Sequence, residues 1–336
     1  MGTPLSELLL DAARRGIAYR ESIGARPVFP PDEAIAALAP LGGPLPEHGR
    51  APHAVLAQLD EIASPATCAA AGGRYFGFVN GSSLPVTVAA NWLATAWDQN
   101  SGLYLMSPAT ITLEQIAINW LLDVLRLPAE SAGALVSGAT NANFTALAAA
   151  RHKVLQNAGW DLAADGLFGA PPVTIVAGEE VHSTLVRMLR MLGFGRAQIL
   201  TLPVDGQGRI RPDNLPKLTG PAILCIQAGN VNTGALDPAR PLCDWAHEHG
   251  AWVHVDGAFG LWARATPALA DQADGYELAD SWITDGHKWL NVPYDCGIAL
   301  VRDAEALRQS MSLTASYLPA GGPREPFHYS PDASRR

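Results

Sequence analysis

The sequence predicts an α/β fold built on a mainly parallel sheet, and three observations carry that prediction. From Gly133 onward, seven short apolar runs follow one another: ALVSG, VTIVAG, QILTLPV, AILCIQAG, WVHVDGA, SWITDG and GIALVRD. Between them lie segments of helical length and spacing, among them NANFTALAAARHKVLQ, TLVRMLRMLG and LCDWAHEHG. The chain has 336 residues, of which 48% are hydrophobic and 16% charged. That composition supports one large buried core and excludes a disordered chain.

The elements before the sheet are helical. MGTPLSELLLDAARRG reads as an amphipathic helix; it lacks the basic start and long apolar run of a signal peptide. Proline-rich connections, RPVFPPDE and PLGGPLPEHG, break up the helices of the first ~50 residues. Residues 86–126 predict two long helices, the second of them the amphipathic ITLEQIAINWLLDVLRL. The expected division is a helical part over 1–125, an α/β domain over 126–310, and a final segment over 311–336. That segment ends on HYSPDASRR without a closing helix, so a short gene product or an absent last domain is expected.

Several classes of function fall away early. A net charge of −9 without a basic stripe argues against nucleic acid or an anionic membrane as partner. No apolar run approaches the roughly 20 residues of a membrane span. Cys68, Cys225, Cys243 and Cys296 are far apart and form no CxxC pair. Neither a metal site nor a disulfide is therefore predicted, and a reducing cytoplasm is the expected compartment.

The chemistry lies where strands end, because ligands of open parallel sheets gather at their carboxyl edge. After the first strand, Ser137 to Asn141 form a small-residue turn opening a helix. It suits a phosphate, with Thr140 adding a hydroxyl, but equally an ordinary capped helix start. His182 stands at another helix start, as a cap, a packed ring or a flat surface for a heteroaromatic ring. His254 and Asp256, two apart on a strand, share a face. The Asp256 carboxylate needs a cation, from an arginine or from a pyridinium N–H. Lys288 is one of three lysines, and Lys153 and Lys217 sit in solvated contexts. Set between a strand and an apolar stretch, it either snorkels to water or loses its charge as a Schiff-base lysine. Taken together and in this order, the four features are the set that pyridoxal phosphate requires.

The chain resembles the pyridoxal-phosphate-dependent group II amino-acid decarboxylases over about residues 70–336. RYFGFVNGSSLP is similar to that family's substrate-side segment, SPATITLEQIAINWL to its SPA-x-T-x-LE helix and SGATNANFTALAAAR to its phosphate loop. VHSTLVRMLRMLGFG resembles its stacking-histidine helix, AGNVNTGALDP its GTT-x-x-G-x-x-DP segment, HVDGAFG its HVDAA and DGHKWLNVPYDCG its lysine motif. The resemblance implies the type I, aspartate aminotransferase-like fold, pyridoxal 5'-phosphate as cofactor, and a homodimer with its site at the interface. It implies Lys288 as the cofactor-bonding lysine, Asp256 as partner of the ring nitrogen, and His182 as the stacking ring. Ala139, Thr140 and His287 are implied around the phosphate, Ala258 at the other ring face, Asn80 and Phe78 on the substrate side, and Tyr329 as proton donor. The implied reaction is decarboxylation of an L-amino acid, with an aromatic one as the narrower expectation, to the amine and CO2. Another enzyme of the same fold, such as an aldehyde synthase or carbon–carbon lyase, or a shortened non-catalytic pyridoxal-phosphate-binding protein, would share the same anchors. Asn230-Val231 and Asp285-Gly286 depart from the family pattern, which leaves the roles of those positions open.

Overall fold

The protein is described by a computed structural model over residues 4–312 and 324–336. Residues 313–323, part of the final segment expected over 311–336, lie outside the described residues. The chain divides into two units, the first ending at Ser82 and the second starting at Ser83.

The first unit is helical: α1 (Leu5–Ser22), α2 (Asp32–Ala36) and α3 (Pro52–Gln58). Proline precedes or begins each helix, at positions 4, 31 and 52, where a missing N–H costs nothing. Arg15 ties α1 to the segment after α3, bonding Asp11 and Asp60 at 3.0 Å each. No residue of α1 is buried, and Leu5, Leu9 and Leu10 are exposed.

The second unit opens with the two predicted long helices, α4 (Pro85–Trp97) and α5 (Pro108–Val124). All seven predicted strands then appear: β1 (Ala132–Val136), β2 (Thr174–Gly178), β3 (Ile199–Leu202), β4 (Ala222–Gln227), β5 (Trp252–Asp256), β6 (Ser281–Asp285) and β7 (Gly297–Val301). They alternate with α6 (Ala139–Asn157), α7 (Leu162–Asp165), α8 (Ser183–Met191), α9 (Ala239–Glu248) and α10 (Ala304–Met311). The sheet order is β1-β7-β6-β5-β4-β2-β3. Only β7 is antiparallel, lying between β1 and β6 with Gly297 opposite both Val136 and Asp285.

Strands β4 to β7 are buried along their whole length, as expected where helices cover both faces. On one face Val253 and Val255 pack with Ile118 and Leu122 of α5 and Leu242 of α9. On the other, Trp252 and Ile283 pack with Leu147 of α6, Leu185 of α8 and Leu307 of α10. Strand periodicity sends His254 and Asp256 to the α6 face with Trp252. A Cβ on Gly297 would lie 2.3 Å from the Gly138 carbonyl carbon, so glycine there lets the start of β7 touch the start of α6. Among the described residues no helix is long and apolar enough to cross a membrane.

Candidate active site

Because β1 runs parallel to β6 across β7, the turn into α6 and the end of β6 meet at one edge of the sheet. Asp285, the last residue of β6, is the junction. It is 2% exposed, and its Oδ1 accepts the first N–H of α6, from Ala139, at 2.6 Å. Its Oδ2 lies 3.0 Å from Lys288 Nζ, and its Oδ1 lies 3.6 Å from His287 Nε2. The Asp285 N–H donates to the Ala258 carbonyl at 3.0 Å, which fixes the turn after β5 to β6. Lys288 thus neither snorkels nor stands free: its ammonium rests on a buried carboxylate, with the side chain 19% exposed. Lys153 instead pairs with Asp303 at 2.8 Å on the far end of α6, and Lys217 is exposed.

His287 is buried beside this pair. Its Nδ1 accepts the Cys296 N–H at 3.1 Å, which puts the ring proton on Nε2, facing Asp285. Its ring stacks on Tyr294 at 4.2 Å. Burial lowers its pKa from the ordinary histidine value, against the opposing field of Asp285. Gly286 has a packing reason: a Cβ there would sit 2.6 Å from Cys296 Sγ. The thiol itself is pushed up to about 11 by burial, with Asp285 and Asp295 adding to the shift.

Asp256 ends β5 and is 7% exposed. It accepts from Asn143 Nδ2 at 3.2 Å on Oδ2 and from the Ala258 N–H at 3.3 Å on Oδ1. Among the described residues no cation lies within ion-pair distance of it. Burial raises its pKa, opposed by those two hydrogen bonds and by the more distant charges of His182 and Lys288. Of the two partners considered for it in the sequence, an arginine is therefore not the one present.

His182 caps α8, accepting the Thr184 N–H at 3.3 Å on Nδ1 and meeting the Thr184 hydroxyl at 2.6 Å. Capping uses one edge of the ring, so of the three sequence readings the cap and the stacking surface are compatible. Thr140 and Asn141 follow Ala139 at the start of α6, and their N–H groups have no protein partner among the described residues. Asn230, where the family pattern has threonine, donates to Glu180 Oε2 at 2.8 Å and caps the turn that follows through the N–H groups of Asn232 and Thr233.

Asn80 and Phe78 belong to the first unit. Asn80 Nδ2 donates to the Tyr75 hydroxyl at 3.4 Å. Phe78 is 91% exposed, and it and Val79 hold left-handed backbone, at φ 56° and 52°. The Tyr329 ring lies under the Arg324 guanidinium at 4.4 Å and packs against the apolar cluster that includes Leu147 of α6 and Leu307 of α10. No hydrogen bond or ion pair among the described residues links it to Asp256, Asp285 or Lys288.

Two residues were not singled out as site residues in the sequence. Asp285 registered there only as a departure from pattern. Asn143 was available as a signal, since it is a lone amide on the face of α6 formed by Ala142, Ala146, Leu147 and Ala150, all buried.

A family model described as the pyridoxal-dependent decarboxylase conserved domain matches residues 47–326. An aromatic-L-amino-acid decarboxylase of Bacillus atrophaeus is 28% identical over 282 residues, 82% of this chain and 56% of that protein. A phenylacetaldehyde synthase of Arabidopsis thaliana is 28% identical over 231 residues, 64% of this chain and 46% of that protein. The chain thus spans about half the length of these curated relatives. Among solved structures, Oryza sativa TDC with PLP and tryptamine superposes with a TM-score of 0.86 at 23% identity, over 100% of this chain and 73% of that one. That likeness shows the fold, which is the expected type I fold. With most of its length, sheet and strand-end residues included, matched by the conserved domain, this chain belongs to the pyridoxal-dependent decarboxylase family.

Proposed function

We infer that the chain binds pyridoxal 5'-phosphate at the Asp256–Asp285–Lys288 edge and decarboxylates an L-amino acid, with an aromatic side chain as the finer reading. The observation that carries this is Asp256: a buried carboxylate with two neutral donors and no cation among the described residues. Such a group suits a ring N–H that bears positive charge. The rest of the donor set fits the same cofactor. Lys288 offers an amine, Thr140 and Asn141 offer open N–H groups at the start of a 19-residue helix, and His182 offers a ring face.

Bound there, pyridoxal phosphate supplies an electron sink for the bond that breaks as CO2 leaves. The protein's part is holding and proton placement. Asp256 would keep the proton on the ring nitrogen. Ala139, Thr140 and His287 would surround the phosphate, with His182 and Ala258 on the two ring faces. Asp285 holds the Lys288 amine at the edge of the sheet, within reach of whatever occupies it. The reading also takes Asn80 and Phe78 as substrate-side residues. Tyr329, as the proton donor implied by resemblance, gains no support from its neighbours.

Exposed apolar residues on α1 (Leu5, Leu9) and on α4 and α5 (Leu93, Trp97, Trp120) support a two-fold homodimer as the working assembly. The helical segment 1–125 would serve that assembly, and the cytoplasm would be its compartment, with neither nucleic acid nor membrane as partner. A second reading, an aldehyde synthase, draws on the equal 28% identity to phenylacetaldehyde synthase.

One experiment separates these readings. Protein incubated with pyridoxal phosphate is reduced with borohydride, and the labelled peptide is mapped; in parallel, CO2, amine, aldehyde and peroxide are measured with a panel of L-amino acids. Label on Lys288 with equal amine and CO2 is expected. Aldehyde with peroxide would favour the second reading, and label only on Lys153 or Lys217 would overturn both.

A further inference from the structure

Behind Asp256 lies a buried line of hydrogen bonds that crosses from β6 through β5 to α6. Trp252 Nε1 donates to Ser281 Oγ at 2.8 Å. Ser281 Oγ lies 2.9 Å from His254 Nδ1, and His254 Nε2 lies 2.8 Å from Asn143 Oδ1. Asn143 Nδ2 then donates to Asp256 Oδ2 at 3.2 Å. Ser281, His254 and Asn143 are wholly buried, so water does not share in these bonds.

The direction of the line follows from chemistry. An ionised carboxylate accepts only, so the amide of Asn143 must turn its NH2 to Asp256 and its carbonyl to His254. His254 Nε2 must then carry a proton. Burial pushes the His254 pKa down to about 3, so the ring is neutral and Nδ1 bare. Nδ1 accepts the Ser281 hydroxyl proton, and the Ser281 oxygen accepts from the indole, which can only donate. Every donor in the line points toward Asp256.

We propose that Asn143, His254 and Ser281 are positioning residues, a one-way relay that holds the Asp256 carboxylate ionised and aimed at its partner. This rests on the reading that Asp256 faces the cofactor's ring nitrogen. A neutral relay supplies donors without adding a buried charge, which leaves the single negative charge of Asp256 for an incoming N–H. The titratable groups outside the line that interact electrostatically with Asp256 are His182, Lys288 and the thiol of Cys225. None of them forms a hydrogen bond or ion pair with Asp256 among the described residues.

The first arm of the test uses the unsubstituted, cofactor-free protein, with nitrogen NMR of the histidine rings near neutral pH. A neutral His254 protonated on Nε2 is expected; a proton on Nδ1 reverses the line and overturns the proposal. The second arm uses Asn143→Leu, folded by circular dichroism, with carbon NMR following the Asp256 carboxyl in the cofactor-free protein. Loss of one donor to a charged acceptor should raise its proton affinity roughly tenfold. An unchanged titration would count against the relay. Pyridoxal phosphate affinity, measured in wild type, Asn143→Leu and Asp256→Asn, separates the two layers of the argument. Unchanged affinity in Asp256→Asn would remove the cofactor reading and leave the NMR result standing. Weakened affinity in Asp256→Asn with wild-type affinity in Asn143→Leu would remove the relay alone. Should Asn143→Leu not fold, the ring tautomer in the first arm still decides.

Discussion

Replacing Lys288 with methionine keeps the apolar stem and removes the charge that faces Asp285. At 3.0 Å two unit charges attract by about 5–6 kcal/mol for an effective dielectric near 20. Desolvation offsets part of that attraction, and breaking a fully buried pair costs about 3–5 kcal/mol because one charge is left alone. Asp285 keeps the Ala139 N–H as a donor at 2.6 Å, and the Lys288 side chain retains 19% exposure. A loss of about 2–3 kcal/mol is therefore expected for Lys288→Met, below the fully buried range. The assay is urea unfolding of the cofactor-free protein at one fixed protomer concentration, since assembly adds to apparent stability. The second perturbation is Lys288→Met with Asp285→Asn, which removes the stranded charge while the amide oxygen still accepts from Ala139. That double variant should recover about half of the loss, a coupling large enough to resolve. A single variant within ~0.5 kcal/mol of wild type, or a double variant no more stable than the single one, would refute the reasoning.

Other expectations follow from the same structure. His254 has a folded-state pKa of about 3, below its unfolded value, so its contribution is full above about 6.5 and lost as pH falls. Cofactor-free wild type should therefore lose about 1.4 kcal/mol per pH unit more than His254→Asn between pH 6 and 4, read from unfolding midpoints. Asp237 carries the opposite sign: burial raises it to about 6, so its contribution is present below the unfolded carboxyl value and lost as pH rises through about 6. Asp237→Asn should flatten that rising-pH loss in the same measurement. Glu114 is 5% exposed and pairs with Arg324 and Arg335, so Glu114→Leu strands two guanidiniums. A destabilisation of about 3 kcal/mol and faster amide exchange over 326–330 are expected, and unchanged exchange would show the clamp to be idle. Gly286→Ala should lower the melting temperature by crowding Cys296 Sγ at a cost of about 1–3 kcal/mol, with Cys296→Ala restoring it.

The strands were legible because each is a short β-branched run closed by small or polar residues, and the helices because their apolar spacing is that of one face. Strand order was not. Nothing local in GIALVRD says that it reverses direction and inserts between β1 and β6; β6 lies just before it in the chain, but β1, the other partner, is more than a hundred residues away. The same separation explains the site. His182, Asp256 and Lys288 could be named because each sits at a strand end, where chemistry gathers. Asp285 could not be given its role, since the Ala139 N–H that it accepts is 146 positions distant in sequence. Asn143 was legible in type but not in partner: an amide on an alanine face must be satisfied, and only the packing of α6 on β5 shows by what. The division of the chain at Ser82 left no mark in periodicity, because helices lie on both sides of it.

The insertion of β7 sets a timetable for the polypeptide. During synthesis β1 emerges early, yet among the described residues its only partner in the sheet is β7, whose last paired residue is Val301. Until then β1 has an unpaired hydrogen-bonding edge on both sides, and the start of α6 lacks the carboxylate that will receive its first N–H. The remaining strands can pair in the meantime, but the edge holding Asp285 and Lys288 closes last. Pairing over such separations is slow and leaves apolar strands open to neighbouring chains. Capture of the cofactor would thus come at the end of folding, as the event that commits a chain already complete through β7.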